Sequence, residues 1–439
     1  MTERPRIKRI DRIGSTAEIP YTRTIIDAKR ERWIMDRFYY LMGRGSWFFE
    51  NPNEMIGAGL VRGYNYFDLK DTGSRIKCLD EMTKENVRTA KRLEKLAKRE
   101  EAAGHYETAR EYYYRASPFY LSATAGIYDS DNEELIWITE KIRENFDKVI
   151  KFSPYPMEWV EIPFEGKSIP GILSLTPNRK KAPTILVVPG MDTNKENCTN
   201  HLSNPFVSRG MNSLAIDGPG QGESLVRKIW VDDQNYARAG KAVIDYLIKR
   251  PEVDPDKIGI HGISMGTYWG PLIAVHDPRV KALSTQMSNF YSKATLFNEV
   301  APNCRLRFMY ITGYLNDEEL NMMAPKLTLE GQESRIKCPH IIFHGEFDHL
   351  TNVNEVYQYF NNLGSEIKEL RIYENQFHGI YRFSDEISSM SADWLRDRLN
   401  GLQSKQNRKI VLVNWNKEEN PVDEKKIAKG FSDLAAEDS

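Results

Sequence analysis

Cysteine is scarce. The chain carries four in 439 residues, Cys78, Cys198, Cys304 and Cys338, and no two of them form a C-x-x-C pair. That spacing argues against a disulfide scaffold and a cysteine-based zinc site, and free thiols are expected in a reducing compartment, here the cytoplasm. Net charge is almost absent at -1, so no general attraction to nucleic acid or to an anionic membrane surface follows. No window approaches the roughly 20 apolar residues of a membrane-spanning helix. The basic start (Arg4, Arg6, Lys8, Arg9, Arg12) is followed by no apolar run, so no signal peptide is expected. His105 and His201 lack ligand partners at metal spacing, and no metal is expected. The glycine-rich loop Gly218-Pro-Gly-Gln-Gly-Glu-Ser224 matches neither G-x-x-x-x-G-K-[ST] nor a G-x-G-x-x-G that opens a helix, and no nucleotide cofactor is expected. What remains is a globular chain, 40% apolar and 28% charged, long enough for one large domain and a smaller one.

The organising stretch is Gly262-Ile263-Ser264-Met265-Gly266. The apolar run Lys257 to His261 before it reads as a buried strand, and Met265 to His276 after it as a helix. A serine on a sharp strand-to-helix turn takes a strained, positive-φ conformation. It escapes clashes only if small residues stand two positions before and two after. Gly262 and Gly266 meet that demand, and the turn presents the Ser264 hydroxyl together with the Met265 N–H. One discord is Gly270-Pro271 inside the following helix, where proline should kink the axis.

Five residues alone are a weak signal, and the partners decide. In this arrangement an acid and then a histidine follow the nucleophile, each on a loop after a later strand. The run Cys338 to His344 leads into Gly345-Glu-Phe-Asp348, and the run Glu369 to Tyr373 leads into Glu374-Asn-Gln-Phe-His378. Ser264, Asp348 and His378 are therefore expected to form a catalytic triad. The strand Thr184 to Val188 ends at Pro189-Gly190-Met191, where the second oxyanion donor is expected from the Met191 N–H, beside that of Met265. His261 and His344 adjoin these loops and are expected as packed, hydrogen-bonded histidines.

Upstream, residues 1–155 read as helical, with helices over Ile25–Met42, Glu85–Ala103, Tyr106–Ala116 and Glu133–Phe146. The middle pair looks like one tetratricopeptide-type hairpin, but no second copy follows at that period, which argues against a solenoid. The aromatics from Tyr112 to Tyr120 are expected to pack inside this cap and not to stack on substrate. Pro154 and Pro156 mark a linker, and residues 156–402 read as a catalytic domain that opens on two antiparallel strands, Glu158–Phe164 and Ile169–Leu175. The stretch 288–335 is too long for a simple connection and is expected as a helical insertion over the active site. Residues 403–439 read as a polar tail with one strand-like island, Lys409–Trp415, open to pairing with a sheet edge or a second subunit.

With these motifs and the Asp217-Gly-Pro-Gly-Gln-Gly-Glu-Ser224 loop, the chain resembles the α/β-hydrolase superfamily from about Glu158 to Asn400. The helical first third is similar to the branch that holds 2,6-dihydroxypseudooxynicotine hydrolase, fungal polyketide-shortening hydrolases and fermentation-respiration-switch-like proteins. The resemblance implies an α/β-hydrolase fold, a mostly parallel doubly wound sheet under an N-terminal helical cap, and a homodimer. It also implies hydrolysis at a carbon-carbon bond beside a ketone or at a carboxylic ester, for which the triad implies an acyl-enzyme, and the aromatic and methionine residues of the cap and insertion suggest an apolar or aromatic small molecule as substrate. Acyl transfer, prolyl-oligopeptidase-type peptidase activity and a non-catalytic binding role are the alternatives. Glu299, in the region where some carbon-carbon hydrolases add a carboxylate, and Tyr291 are candidate substrate contacts.

Overall fold

Helical periodicity and small residues govern the first part of the fold. A computed structural model describes residues 63–422 apart from 79–80, 126, 200–203, 292, 294–301, 314–316 and 349. The expected helix over Ile25–Met42 lies outside these residues, as does Glu299. Helix α1 (Tyr66–Arg75) is capped by the Asn65 side chain, which accepts from the Phe67 N–H. Helices α2 (Glu81–Ala102) and α3 (Tyr106–Ala123) form a hairpin about Gly104, whose φ of 79° suits glycine. Ala90 and Ala97 of α2 and Ala109 and Ala116 of α3 are buried, as alanines at the contact let the helix axes approach closely. Tyr113 and Tyr120 are buried as well, their hydroxyls donating to Glu101 and Glu94 of the facing helix at 2.7 Å each. Helix α4 (Glu133–Lys151) is capped by Asn132 and buries Ile138, Ile142, Phe146 and Val149.

Beyond Pro156 the period changes from 3.6 to 2, and ten strands build one sheet. They are β1 (Met157–Phe164), β2 (Lys167–Ser174), β3 (Ala182–Val188), β4 (Asn212–Ile216), β5 (Val253–Ile263), β6 (Val280–Gln286), β7 (His340–Gly345), β8 (Lys368–Tyr373), β9 (Arg408–Val413) and β10 (Glu419–Pro421). Their order is β1-β2-β4-β3-β5-β6-β7-β8-β9-β10. The stretch from β4 to β9 is parallel, and antiparallel pairs close both ends.

The central strands are apolar throughout because both faces are covered. Leu186 and Val188 of β3 join the cluster that takes in helices α6 (Asn235–Leu247) and α7 (Gly266–His276), with the short helix α5 (Gly222–Val226) before them. Ile185 and Val187 turn to the other face, onto Ala392, Leu395 and Leu399 of α11 (Ser384–Leu399). Between these lie α8 (Pro302–Thr312), α9 (Asp317–Met323) and α10 (Val353–Asn362). Helix α7 runs on through Gly270-Pro271, its flanks Tyr268, Trp269, Leu272 and Ile273 all buried, so packing on every side holds it despite the lost hydrogen bond. Among the described residues no helix is long and apolar enough to cross a membrane.

Part of the polar stretch 403–439 joins the sheet. Residues Lys368 to Tyr373 of β8 pair in parallel with Arg408 to Val413 of β9. Val411 and Val413 pack on Ile387 of α11, while Ile410 joins the opposite face. Replacing Ile410 with alanine is expected to cost about 2–5 kcal/mol, the usual range for a buried isoleucine. The urea midpoint should fall at an unchanged slope, and an unmoved midpoint would mean that β9 adds nothing to the fold.

Candidate active site

The turn from β5 into α7 carries Ser264 at a φ of 54°, the left-handed region that a side chain rarely occupies. Its neighbours explain how the turn persists. A Cβ on Gly262 would overlap the Gly266 carbonyl, and one on Gly266 would overlap the Val188 carbonyl at the end of β3. The backbone is then pinned from two sides. The Ser264 N–H donates to the Gln286 carbonyl of β6 at 2.9 Å, and the Ser264 carbonyl accepts from the Thr267 N–H at 2.7 Å and from the Thr267 hydroxyl at 2.6 Å. The same hydroxyl accepts from the Asn289 N–H at 2.7 Å, which ties the elbow to the chain after β6.

Ser264 Oγ lies 2.8 Å from His378 Nε2, and His378 Nδ1 lies 2.8 Å from Asp348 Oδ2. An ionised carboxylate only accepts, so Nδ1 carries the proton and Nε2 is left with its lone pair toward the serine hydroxyl. The two supporting loops are joined. The Phe347 N–H donates to the Gln376 carbonyl at 2.8 Å and the Asn375 N–H to Glu346 at 2.9 Å, while a Cβ on Gly345 would overlap the Phe377 carbonyl. Burial pushes the Asp348 carboxyl up, but the adjoining His378 imidazole, His344 and the Leu350 N–H, which donates at 2.8 Å, outweigh it and hold the group below the usual carboxylate range.

On the far side of the serine stands the loop after β3. A Cβ on Gly190 would come 3.1 Å from Ser264 Cβ and 3.6 Å from its Oγ, so glycine lets this loop lie against the serine. Met191 and Met265 follow on either side, and their N–H groups take no part in the turn and loop hydrogen bonds among the described residues. Arg307 of α8 reaches the same loop, donating to the Met191 carbonyl at 3.2 Å and pairing with Asp192 at 3.2 Å. Among the described residues no group of three His, Cys, Asp or Glu side chains could hold a metal.

Residues 199–401 match the model of the prolyl oligopeptidase family. The 2,6-dihydropseudooxynicotine hydrolase of Paenarthrobacter nicotinovorans is 25% identical over 277 residues, which cover 61% of this chain and 73% of that one. The α/β-hydrolase gkaG of Penicillium citrinum is 29% identical over 210 residues, 45% of this chain and 48% of that one. The chain thus spans nearly three quarters of the first relative and about half of the second. The crystal structure of 2,6-dihydroxy-pseudo-oxynicotine hydrolase superposes with a TM-score of 0.71 at 23% identity, over 80% of this chain and 97% of that one. The chain has the α/β-hydrolase fold.

Within this fold, Ser264, His378, Asp348 and the loop of Met191 stand together, whereas Tyr291 is occupied elsewhere. Its hydroxyl donates to Glu333 at 2.6 Å and its ring stands edge-on to Tyr359 at 6.3 Å. Three further side chains around the site had little or no sequence signal of their own. Thr267 was hidden because its partners are backbone groups, and Arg307 because it arrives from an insertion. Gln221 had one faint mark, a polar residue between glycines in the loop after β4. His261 bonds the Ser284 hydroxyl at 3.3 Å, as a packed histidine should. His344 is buried without such a bond, its Nδ1 3.8 Å from Asp348 Oδ2, and burial lowers its pKa to about 4.

The sign of that shift sets a pH test. An unfolded His344 takes up a proton near the ordinary histidine value of 6.5, whereas the folded one does so only near 4. The neutral buried ring therefore favours folding less and less as pH falls from 6.5 toward 4. The difference in unfolding free energy between the wild type and His344→Gln should drift steadily against the wild type across that window. Urea titrations at a series of pH values measure it, and a constant difference would refute the assignment.

Proposed function

We propose that the protein is a hydrolase with a serine nucleophile that cleaves a carbon-carbon bond beside a ketone in an apolar or aromatic small molecule. The observation that carries the catalytic part is the continuous hydrogen-bonded chain, 2.8 Å and 2.8 Å, from a positive-φ serine through His378 to a buried carboxylate. The choice of bond leans on the relative named for a pseudooxynicotine substrate, matched over 73% of its length. The prolyl oligopeptidase match falls within residues 199–401 and leaves the helical first third unmatched, which favours a small-molecule substrate over a peptide.

In this mechanism Ser264 Oγ attacks the carbonyl carbon while His378 Nε2 takes its proton, and Asp348 stabilises the imidazolium. The carbonyl oxygen becomes an oxyanion held by the Met191 and Met265 N–H groups, each donor contributing on the order of 100- to 1,000-fold in rate. Collapse of the intermediate breaks the carbon-carbon bond. Its electron pair leaves on a carbon stabilised by a second carbonyl or a ring, and the His378 Nε2 proton passes to that carbon. Water, deprotonated by His378, then attacks the acyl-serine, releases a carboxylic acid and restores the hydroxyl. A carboxylic ester follows the same course with an alkoxide as leaving group and is the second reading, because the same serine, histidine and carboxylate serve both. The proposal also carries the homodimer expected from the resemblance, which sedimentation velocity tests.

Intact-protein mass spectrometry decides the chemistry. Incubation with p-nitrophenyl acetate, and separately with aryl 1,3-diketones, should give an acyl adduct or turnover that vanishes in Ser264→Ala. Faster turnover of the diketones would favour the carbon-carbon reading over the ester one. Absence of any adduct, together with a Ser264 left unlabelled by a fluorophosphonate, would overturn the serine mechanism.

A further inference from the structure

The side chain of Gln221 is fully buried and every polar valence of its amide is used. Nε2 donates to the Pro189 carbonyl at 2.8 Å and to the Gly190 carbonyl at 2.9 Å. Oε1 accepts from the Gly218 N–H at 3.0 Å and from the Tyr236 hydroxyl at 2.6 Å. These partners fix the orientation of the amide, because a flipped one would face two carbonyls with its oxygen and an N–H with its NH2. Tyr236 is itself stacked on Trp269 of α7, with ring centroids 4.5 Å apart and planes 2° from parallel. One side chain thus joins the loop after β3, the loop after β4 and the helix that begins behind Ser264.

The bond to Gly190 has a directional consequence. In a trans peptide the C=O and N–H point in opposite directions within one plane, and the described residues contain no cis bond. With the Gly190 carbonyl drawn to Gln221, the Met191 N–H of the same peptide is turned away from Gln221. Gly190 lies against Ser264, so that N–H belongs to the backbone segment beside the serine hydroxyl.

We infer that Gln221 is a positioning residue which sets the 190–191 peptide plane and so holds the oxyanion-binding face of the Met191 N–H ready before substrate arrives. A peptide free to rotate would present its carbonyl oxygen to the oxyanion in part of the population and lose that donor. The clamp matters for catalysis only if Ser264 is the nucleophile, as proposed above.

The test is Gln221→Met, which keeps length and apolar volume but removes all four hydrogen bonds. Turnover of p-nitrophenyl acetate should fall in kcat by about 100-fold, the scale of one lost donor, with KM changed by less than about threefold. Affinity for an aryl trifluoromethyl ketone, whose serine hemiketal places an oxyanion at the same point, should weaken in parallel with kcat. Should this variant fail to fold, Gln221→Asn withdraws the amide by one methylene and should give the same split. A lowered melting temperature with kcat and ketone affinity within threefold of wild type would overturn the inference and leave Gln221 a packing residue. A raised KM at constant kcat would overturn it as well. If the wild type forms no ketone adduct at Ser264, the serine mechanism fails first and takes this inference with it.

Discussion

Everything at the site depends on how closely the backbone at Gly266 approaches the end of β3. The parallel register brings Val188 beside Gly262, and with no side chain on either glycine the chain can leave β5, reverse and enter α7 within three residues. A left-handed serine costs on the order of 1–3 kcal/mol. The bonds that the Ser264 peptide groups make to Gln286 and Thr267 compensate for that strain and distribute it over β6 and α7. Ser264 is consequently held by the sheet itself and not by a loop.

A second tier of buried polar groups ties the loops at the same end of the sheet. Asp217, at the end of β4, accepts from the Lys195 N–H and from its ammonium at 2.8 Å each, and from the Glu223 N–H at 2.9 Å. Burial alone would push the Lys195 pKa down, but Asp217, Glu196 and Glu223 raise it above the ordinary lysine value, so the cation is permanent. Glu223 continues outward to Arg143 of α4 at 3.0 Å, which connects the loops to the helical layer. The loops after β3 and β4 are thus braced by charge on one side and by the Gln221 amide on the other.

Much of this was legible in the sequence because the relevant constraints are local. Alternating or continuous apolar runs mark the strands, and Asn, Gly and Pro mark their ends. The G-x-S-x-G spacing is a steric requirement that can be stated without coordinates, and the order serine, acid, histidine follows from the chain returning to one edge of the sheet. The rest depends on partners that only the fold assembles. Nothing local to Gln221 says that two carbonyls from residues 189 and 190 will meet its amide. His344 reads as an ordinary strand residue until Asp348 closes over it. The island at 409–415 carries a strand pattern, yet a pattern does not name its neighbour. Tyr291 shows the converse, since an aromatic in an insertion looks available until Glu333 and Tyr359 are seen to occupy it.

The strand order also bears on synthesis. β3 lies between β4 and β5, so the centre of the sheet cannot close until Ile263 has left the ribosome. His378 precedes β9 and β10, and a nascent chain that ends near Asn400 already holds Ser264, Asp348 and His378. It still presents Leu370 and Ile372 of β8 on an open edge, which invites pairing with another chain. Residues 408–413 cover that edge, and so this later-emerging strand acts as a seal against misassembly.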